Sequence, residues 1–230
     1  MGRLRGGKRQ TRAMEPYVLV ATPARPATAP VFLTMSESIY DSLTYGRRER
    51  AFCDDPLPVS ANGTGKYAGH AASRNRLIDL FLTDGHTHVL WLDVDLVTVP
   101  ANLIERLLAI SSEEIVAPHI YVERVDPARP SSFRNGGWFY DTGAFIQRGQ
   151  TRHMWNPNLP GLQEMDSVGC CYLAPAALYR TGARYAPEGD EIEHLSLMRQ
   201  AKERGYRILT TDSILVEHCY LPKYGEPWHT

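Results

Sequence analysis

HVLWLDVDLVTVP, residues His88–Pro100, is the stretch whose reading decides the fold. Val89-Leu90-Trp91-Leu92 is a short apolar run of β-favouring residues, the pattern of a strand buried on both faces. It ends in two acids one residue apart, Asp93 and Asp95. In an extended chain, residues i and i+2 share a side. Both carboxylates are therefore expected to meet one hard cation at the carboxyl edge of a sheet, where open α/β folds place ligands. A buried strand that closes on two acids needs a compensating charge, and a metal carrying a diphosphate supplies one.

Outward from this strand the chain alternates. Ala71–Thr83 carries Leu77, Ile78, Phe81 and Leu82 on a helical period, and Asp84-Gly85 ends it. Pro100–Ile110 predicts a helix with proline near its first turn and Leu103, Leu107 and Leu108 inward. Glu114–Val122 predicts the next strand. Toward the N-terminus, Tyr17–Ala21 is a first strand stopped by Thr22-Pro23-Ala24-Arg25-Pro26, a loop of the kind that holds a nucleotide. Leu33–Leu43 is expected to be a short helix capped by Ser36 or Ser38. Gly46–His70 reads as loop; its Gly63-Thr64-Gly65-Lys66 lacks the spacing of a phosphate-binding P-loop. Asn62-Gly63-Thr64 matches a glycosylation acceptor, which carries no weight without a signal peptide.

Beyond Val122 the pattern breaks. Glu123–Gly161 is rich in Arg, Asn, Gly and Pro and holds Trp138 and Trp155, with a hairpin expected around Trp138–Gln147. A connection this long inside a compact domain is usually functional or mobile. Ser167–Leu173 predicts another strand, Glu188–Arg204 a helix closed by Gly205, and Arg207–Val216 a last strand running to His218. The β-α-β-α-β order predicts an α/β fold, with a mostly parallel sheet covered by helices.

The totals exclude several classes. With 230 residues and 43% hydrophobic content the chain fills one large domain, read as residues 15–222 between tails 1–14 and 223–230. No run approaches a membrane span. A net charge of −1 makes no case for nucleic acid. The start, MGRLRGGKRQTRA, holds five basic residues and no acid, and reads as a disordered tail or an arm for a polyanion. It lacks the apolar stretch of a signal peptide, so the expected location is the cytoplasm. Cys53, Cys170, Cys171 and Cys219 include no CxxC pair, so neither a zinc site nor a disulfide framework is expected.

Four groups of residues bear chemistry. Arg74 and Asn75, in the helix before the acidic strand, suit a phosphate and a ribose or carboxylate; the ordinary reading is an exposed polar face. Glu188-Gly189-Asp190-Glu191-Ile192-Glu193-His194 places four acids at a helix start. Such acids favour the helix dipole, and Asp190 or Glu191 also suits a base for an acceptor hydroxyl. His218, with Asp93 and Asp95, makes a donor set for Mn²⁺ or Mg²⁺, the imidazole favouring Mn²⁺. Asp166 and Gly169 precede a strand where an acceptor sugar has room, with Trp138 or Trp155 to stack on it.

Taken together, VLVATPAR, SRNRLIDLFL, HVLWLDVDLVTVPANLIERLL, EMDSVGCCYL and DEIEHLSLMRQAKERGYRILTTDSILVEH resemble, in this order, nucleotide-sugar glycosyltransferases of the GT-A fold. The resemblance runs from Tyr17 to His218. It is to the fungal mannan-polymerase family of GDP-mannose-dependent mannosyltransferases in particular, and to family-2-like glycosyltransferases more broadly. It implies that Thr22, Pro23 and Arg25 hold the base, that Arg74 contacts the donor, and that Asp93 and Asp95 hold metal and diphosphate. It further implies that His218 completes the metal shell and that Asp190, Glu191 or Glu193 faces the acceptor. The donor implied is GDP-mannose or a UDP-sugar; the acceptor class is open. The fungal enzymes carry a membrane anchor, and none is expected here. Two alternatives stand beside this reading. Asp93-Val94-Asp95-Leu96-Val97 also fits the strand end of a HAD-type phosphatase, with Asp93 as nucleophile, although that motif normally sits on a first strand. The other is a nucleotide-sugar-binding module without turnover.

Overall fold

The computed structural model describes residues 15–24, 30–53, 68–122, 138–139, 144–148, 151–154, 160–189 and 191–219. Arg25, Asp190, Trp155 and the 62–66 motifs lie outside the described residues. The elements in chain order are β1 (Val18–Pro23), α1 (Pro30–Ser42), β2 (Arg48–Cys53), α2 (Ala68–Phe81), β3 (His88–Leu92), β4 (Leu96–Thr98), α3 (Leu103–Ile110) and β5 (Ile115–Val122). They continue with β6 (Trp138–Phe139), β7 (Phe145–Arg148), β8 (Thr151–Met154), β9 (Leu162–Glu164), β10 (Cys171–Pro175), α4 (Ala176–Arg180), α5 (Glu193–Glu203) and β11 (Ile208–His218). The main sheet runs β2-β1-β3-β10-β5-β11-β4, with β6 added to β5 and β9 to β11.

Alternation along β3 builds a core on each face. Val89 and Trp91 pack with Leu77 and Ile78 of α2, Leu197 and Met198 of α5, and Tyr172. Leu90 and Leu92 pack on the other side with Ile39 of α1 and with Leu103 and Leu107 of α3. Every residue of β3 is buried, the sequence signature of a strand covered by helices on both faces.

Several expectations need correction. The stretch read as loop from Gly46 contains β2, parallel to β1 from Val18↔Arg48 to Pro23↔Cys53. Its arginines hide an edge strand: Arg48 lies over the Tyr40 ring at 4.9 Å, and Arg50 over Phe52 at 5.2 Å. The hairpin is β7 on β8, not one around Trp138–Gln147; β6 instead pairs antiparallel with Tyr121 and Val122 of β5. Strand β10 starts at Cys171, while Ser167 makes only an isolated bridge to Phe145. It runs antiparallel to both β3 and β5. The last helix starts at Glu193, not Glu188, because Gly189 turns the chain at φ 58.

His119 is fully buried in β5. Burial drives its imidazole down to about 4, with Asp212 opposing, against about 6.5 in an unfolded chain. As pH falls, the unfolded chain takes the proton first. This contribution to stability is complete above pH of about 6.5 and drains away toward about 4, with a slope of up to about 1.4 kcal/mol per pH unit. His119→Gln does not titrate, so in urea denaturation the stability gap between wild type and variant narrows across that window. A gap constant with pH contradicts the assignment.

Candidate active site

One edge of the sheet collects most of the expected residues. Strands β1, β2 and β3 are parallel, and β5 and β11 are parallel to each other. Because β10 is antiparallel to both β3 and β5, all five point their carboxyl ends the same way. Thr22 and Pro23 end β1, one residue past the Ala21↔Trp91 pair. Asp93 follows β3, and His218 ends β11. The start of β10 reaches the same edge, where the Asp93 N–H donates to the Cys170 carbonyl at 2.9 Å, next to buried Gly169. The backbone of Trp138 pairs with Val122, the last residue of β5, so it too belongs to this edge.

The two acids do not sit on an extended strand. The chain turns at Asp93, whose carbonyl accepts from the Leu96 N–H at 3.3 Å, and crosses to β4, the strand beyond β11. There His218 pairs with Leu96, and the Asp95 carbonyl accepts from the Cys219 N–H at 2.9 Å. The turn sends the carboxylates to different cationic partners. Asp93 Oδ1 lies 2.6 Å from Arg74 Nη2, while Asp95 Oδ1 lies 3.2 Å from His218 Nε2.

The electrostatics follow from that division. Burial opposes charge on His218, yet Asp95 lifts its imidazole to about 9, while its Nδ1 donates to the Cys219 carbonyl at 2.9 Å. At neutral pH this ring is an imidazolium. Burial also works against charge on Asp95, but His218 holds it below the usual carboxylate range. Asp93 stands above that range: burial and the nearby Asp95 charge raise it, and Arg74 only partly offsets them.

Arg74 is 2% exposed, not on an open helix face. Its guanidinium lies over Trp91 at 5.1 Å and Tyr185 at 5.6 Å. Its Nε faces Glu193 Oε1 at 3.5 Å, and Nη2 donates to His194 Nε2 at 3.2 Å. An arginine nitrogen only donates, so His194 Nε2 accepts and the ring carries its proton on Nδ1. Burial and the neighbouring Arg74 push His194 well below its ordinary range, in keeping with a neutral ring.

The other expected residues are placed as follows. Asn75 is spent on backbone: its amide donates to the Tyr185 carbonyl at 2.7 Å and accepts from the Tyr185 N–H at 2.9 Å. It ties α2 to the segment before α5. Glu191 accepts from Arg199 at 2.8 Å in the loop before α5. Asp166 pairs with Lys202. It adjoins Met165, whose N–H donates to Ile208 at the start of β11, so it lies at the opposite end of that strand from His218. Sequence reasoning missed Trp91, Tyr185 and His194 as the walls of the Arg74 cage. Only the apolar run around Trp91 and the helix start at His194 signalled them.

Replacing Arg74 by methionine takes the guanidinium away from buried Glu193 and half-buried Asp93, at a cost of about 3–5 kcal/mol. Chemical denaturation is expected to show that loss, and to show part of it recovered when Asp93→Asn and Glu193→Gln accompany the change. No recovery in the triple variant contradicts the cage.

Among the described residues, no helix is long and apolar enough to cross a membrane. Residues 68–160, which include Arg74, Asp93 and Asp95, match the Anp1 family model. The mannan polymerase II complex ANP1 subunit of Saccharomyces cerevisiae is 24% identical over 185 residues, covering 69% of this chain and 37% of the yeast protein. Among solved structures, S. aureus TarS aligns with a TM-score of 0.55 at 11% identity, over 90% of this chain and 37% of that one. GalNAc-T7, solved with UDP, GalNAc and Mn²⁺, aligns with a TM-score of 0.52 at 13% identity, over 91% of this chain and 44% of that one. This chain therefore spans less than half the length of each of these three proteins. It resembles the Anp1 family, and its fold is that of the GT-A glycosyltransferases.

Proposed function

We propose that this chain transfers a sugar from a nucleoside-diphosphate donor to an acceptor hydroxyl, assisted by a divalent cation. The observation that carries the reading is the turn after β3, which sets Asp95 against His218 at the carboxyl edge of a GT-A sheet. Among the described residues, no three His, Cys, Asp or Glu side chains are arranged to hold a metal. Asp95 and His218 supply two donors, with Asp93 beside them. That set fits Mn²⁺ or Mg²⁺, which are commonly held by one or two carboxylates with substrate phosphates completing the shell. A bound cation supplies neutralisation of the diphosphate as the glycosyl bond breaks. For His218 to serve as a ligand, it must release the proton it shares with Asp95.

In this reading Thr22, Pro23 and Arg25 surround the base, and Trp138 and Gly169 border the acceptor. The acceptor oxygen bonds to the anomeric carbon, and the bond from that carbon to the diphosphate oxygen breaks. The acceptor's proton passes to a carboxylate, for which Asp190 and Glu191 are the candidates. The HAD-type alternative loses its footing, because the motif follows the third strand, whose neighbour β10 is antiparallel. A binding module without turnover keeps one observation in its favour: an oxygen of Glu191 is already occupied by Arg199. The yeast relative's designation as a complex subunit also suits a chain that works with a protein partner.

Calorimetric titration of GDP- and UDP-sugars, with and without Mn²⁺, tests the reading on wild type and Asp95→Ala. The expected result is binding of one nucleotide class that requires Mn²⁺ and weakens at least about tenfold in the variant. Slow donor hydrolysis by the wild type separates an enzyme from a binding module. Mg²⁺-dependent cleavage of simple phosphate esters, without nucleotide-sugar binding, overturns the proposal.

A further inference from the structure

We propose that Glu193 is a positioning residue of the cation–diphosphate site, acting through Arg74 on Asp93, and is not the group that takes the acceptor's proton. The functional half of this inference rests on the glycosyl-transfer reading; its geometric half rests on contacts among α2, α5 and the turn after β3.

Glu193 opens α5, yet its side chain is only 4% exposed. Its buried cationic neighbour is Arg74, with Nε at 3.5 Å; the neutral His194 ring borders it at 3.4 Å, and half-buried His70 Nδ1 lies at 3.7 Å. A general base must come within hydrogen-bond reach of the hydroxyl it deprotonates. A carboxylate closed in behind a guanidinium is not presented to a sugar.

The same contacts give Glu193 another task. A guanidinium is a planar fork whose N–H directions are fixed relative to one another. The Arg74 fork sits in the corner between the mutually perpendicular rings of Trp91 and Tyr185, and Glu193 forms an ion pair along its Nε edge. The two N–H bonds of Nη2 then meet Asp93 Oδ1 at 2.6 Å and His194 Nε2 at 3.2 Å. Asp93 begins the turn that delivers Asp95 to His218. Glu193 also shares the charge of Arg74. Without it, the whole cation bears on Asp93 and competes with any metal that Asp93 helps to hold.

The test follows Mn²⁺ by electron paramagnetic resonance, titrated with GDP and with UDP, in wild type, Glu193→Ala and Glu193→Gln. Donor hydrolysis is followed alongside. The expected result for Glu193→Ala is an Mn²⁺–nucleotide dissociation constant raised about ten- to a hundredfold, the range for groups that orient ligands. Glu193→Gln keeps an oxygen on Arg74 and is expected to recover most of that affinity, with hydrolysis at saturating Mn²⁺ down by less than about tenfold. If Mn²⁺–nucleotide affinity holds in both variants while Glu193→Gln loses hydrolysis by about 10²–10⁴, Glu193 is the base and the proposal is overturned.

A ligand-free readout separates this inference from the reading beneath it. Melting temperatures of Glu193→Gln, Asp93→Asn and their double variant are expected to be non-additive, and to become additive in an Arg74→Lys background. Additive losses with Arg74 present overturn the relay. Non-additive losses in a wild type that binds no Mn²⁺–nucleotide overturn the site reading instead, and with it the functional role of Glu193.

Discussion

The geometry of the candidate site hangs on one guanidinium taken out of water. Arg74 is enclosed by the rings of Trp91 and Tyr185, by the carboxylates of Asp93 and Glu193, and by neutral His194. A charge so buried is tolerable only where opposite charge and hydrogen bonds surround it. Those partners come from the end of β3, the start of α5 and the segment before it, so the requirement draws three distant parts of the chain to one point. Asn75, the next residue of α2, reinforces the gathering by holding the Tyr185 backbone.

Asp93 and Asp95 look alike in sequence and differ in the fold. Asp93 faces a fixed cation and still stands above the usual carboxylate range, because it is buried and its neighbour is charged. Asp95 faces a histidine and stands below that range. A permanent charge on one side and a titratable one on the other suit different tasks. The Asp95–His218 pair can exchange its proton for a cation, whereas the Arg74 guanidinium keeps its charge at neutral pH.

How much of this was legible depended on where the deciding partner lay. Strand β3 and the helices flanking it show in their own apolar periods, and the positions of Thr22, Asp93 and His218 follow from strand order. Strand β2 was hidden because its arginines lay their guanidinium groups over neighbouring rings, yet read in sequence as solvated charge. The direction of β10 was not legible: a strand buried on both faces has the same composition either way round. The acids before α5 were a sharper failure. Nothing local separates Glu193, which points inward, from Glu191, which pairs with Arg199, since the difference is set by Arg74 on another helix. Likewise, the bend at Asp93 has no glycine or proline to announce it.

The central claim is that the turn after β3 and the end of β11 together hold a cation bearing a diphosphate. Crystals grown with Mn²⁺ and the nucleoside diphosphate that binds, measured at the manganese absorption edge, test it most directly. The account predicts one anomalous peak within about 2.0–2.4 Å of an Asp95 oxygen and of His218 Nε2, with the diphosphate on its open side. A peak elsewhere on the chain, or a bound diphosphate with the Asp95–His218 pair still closed, would contradict it.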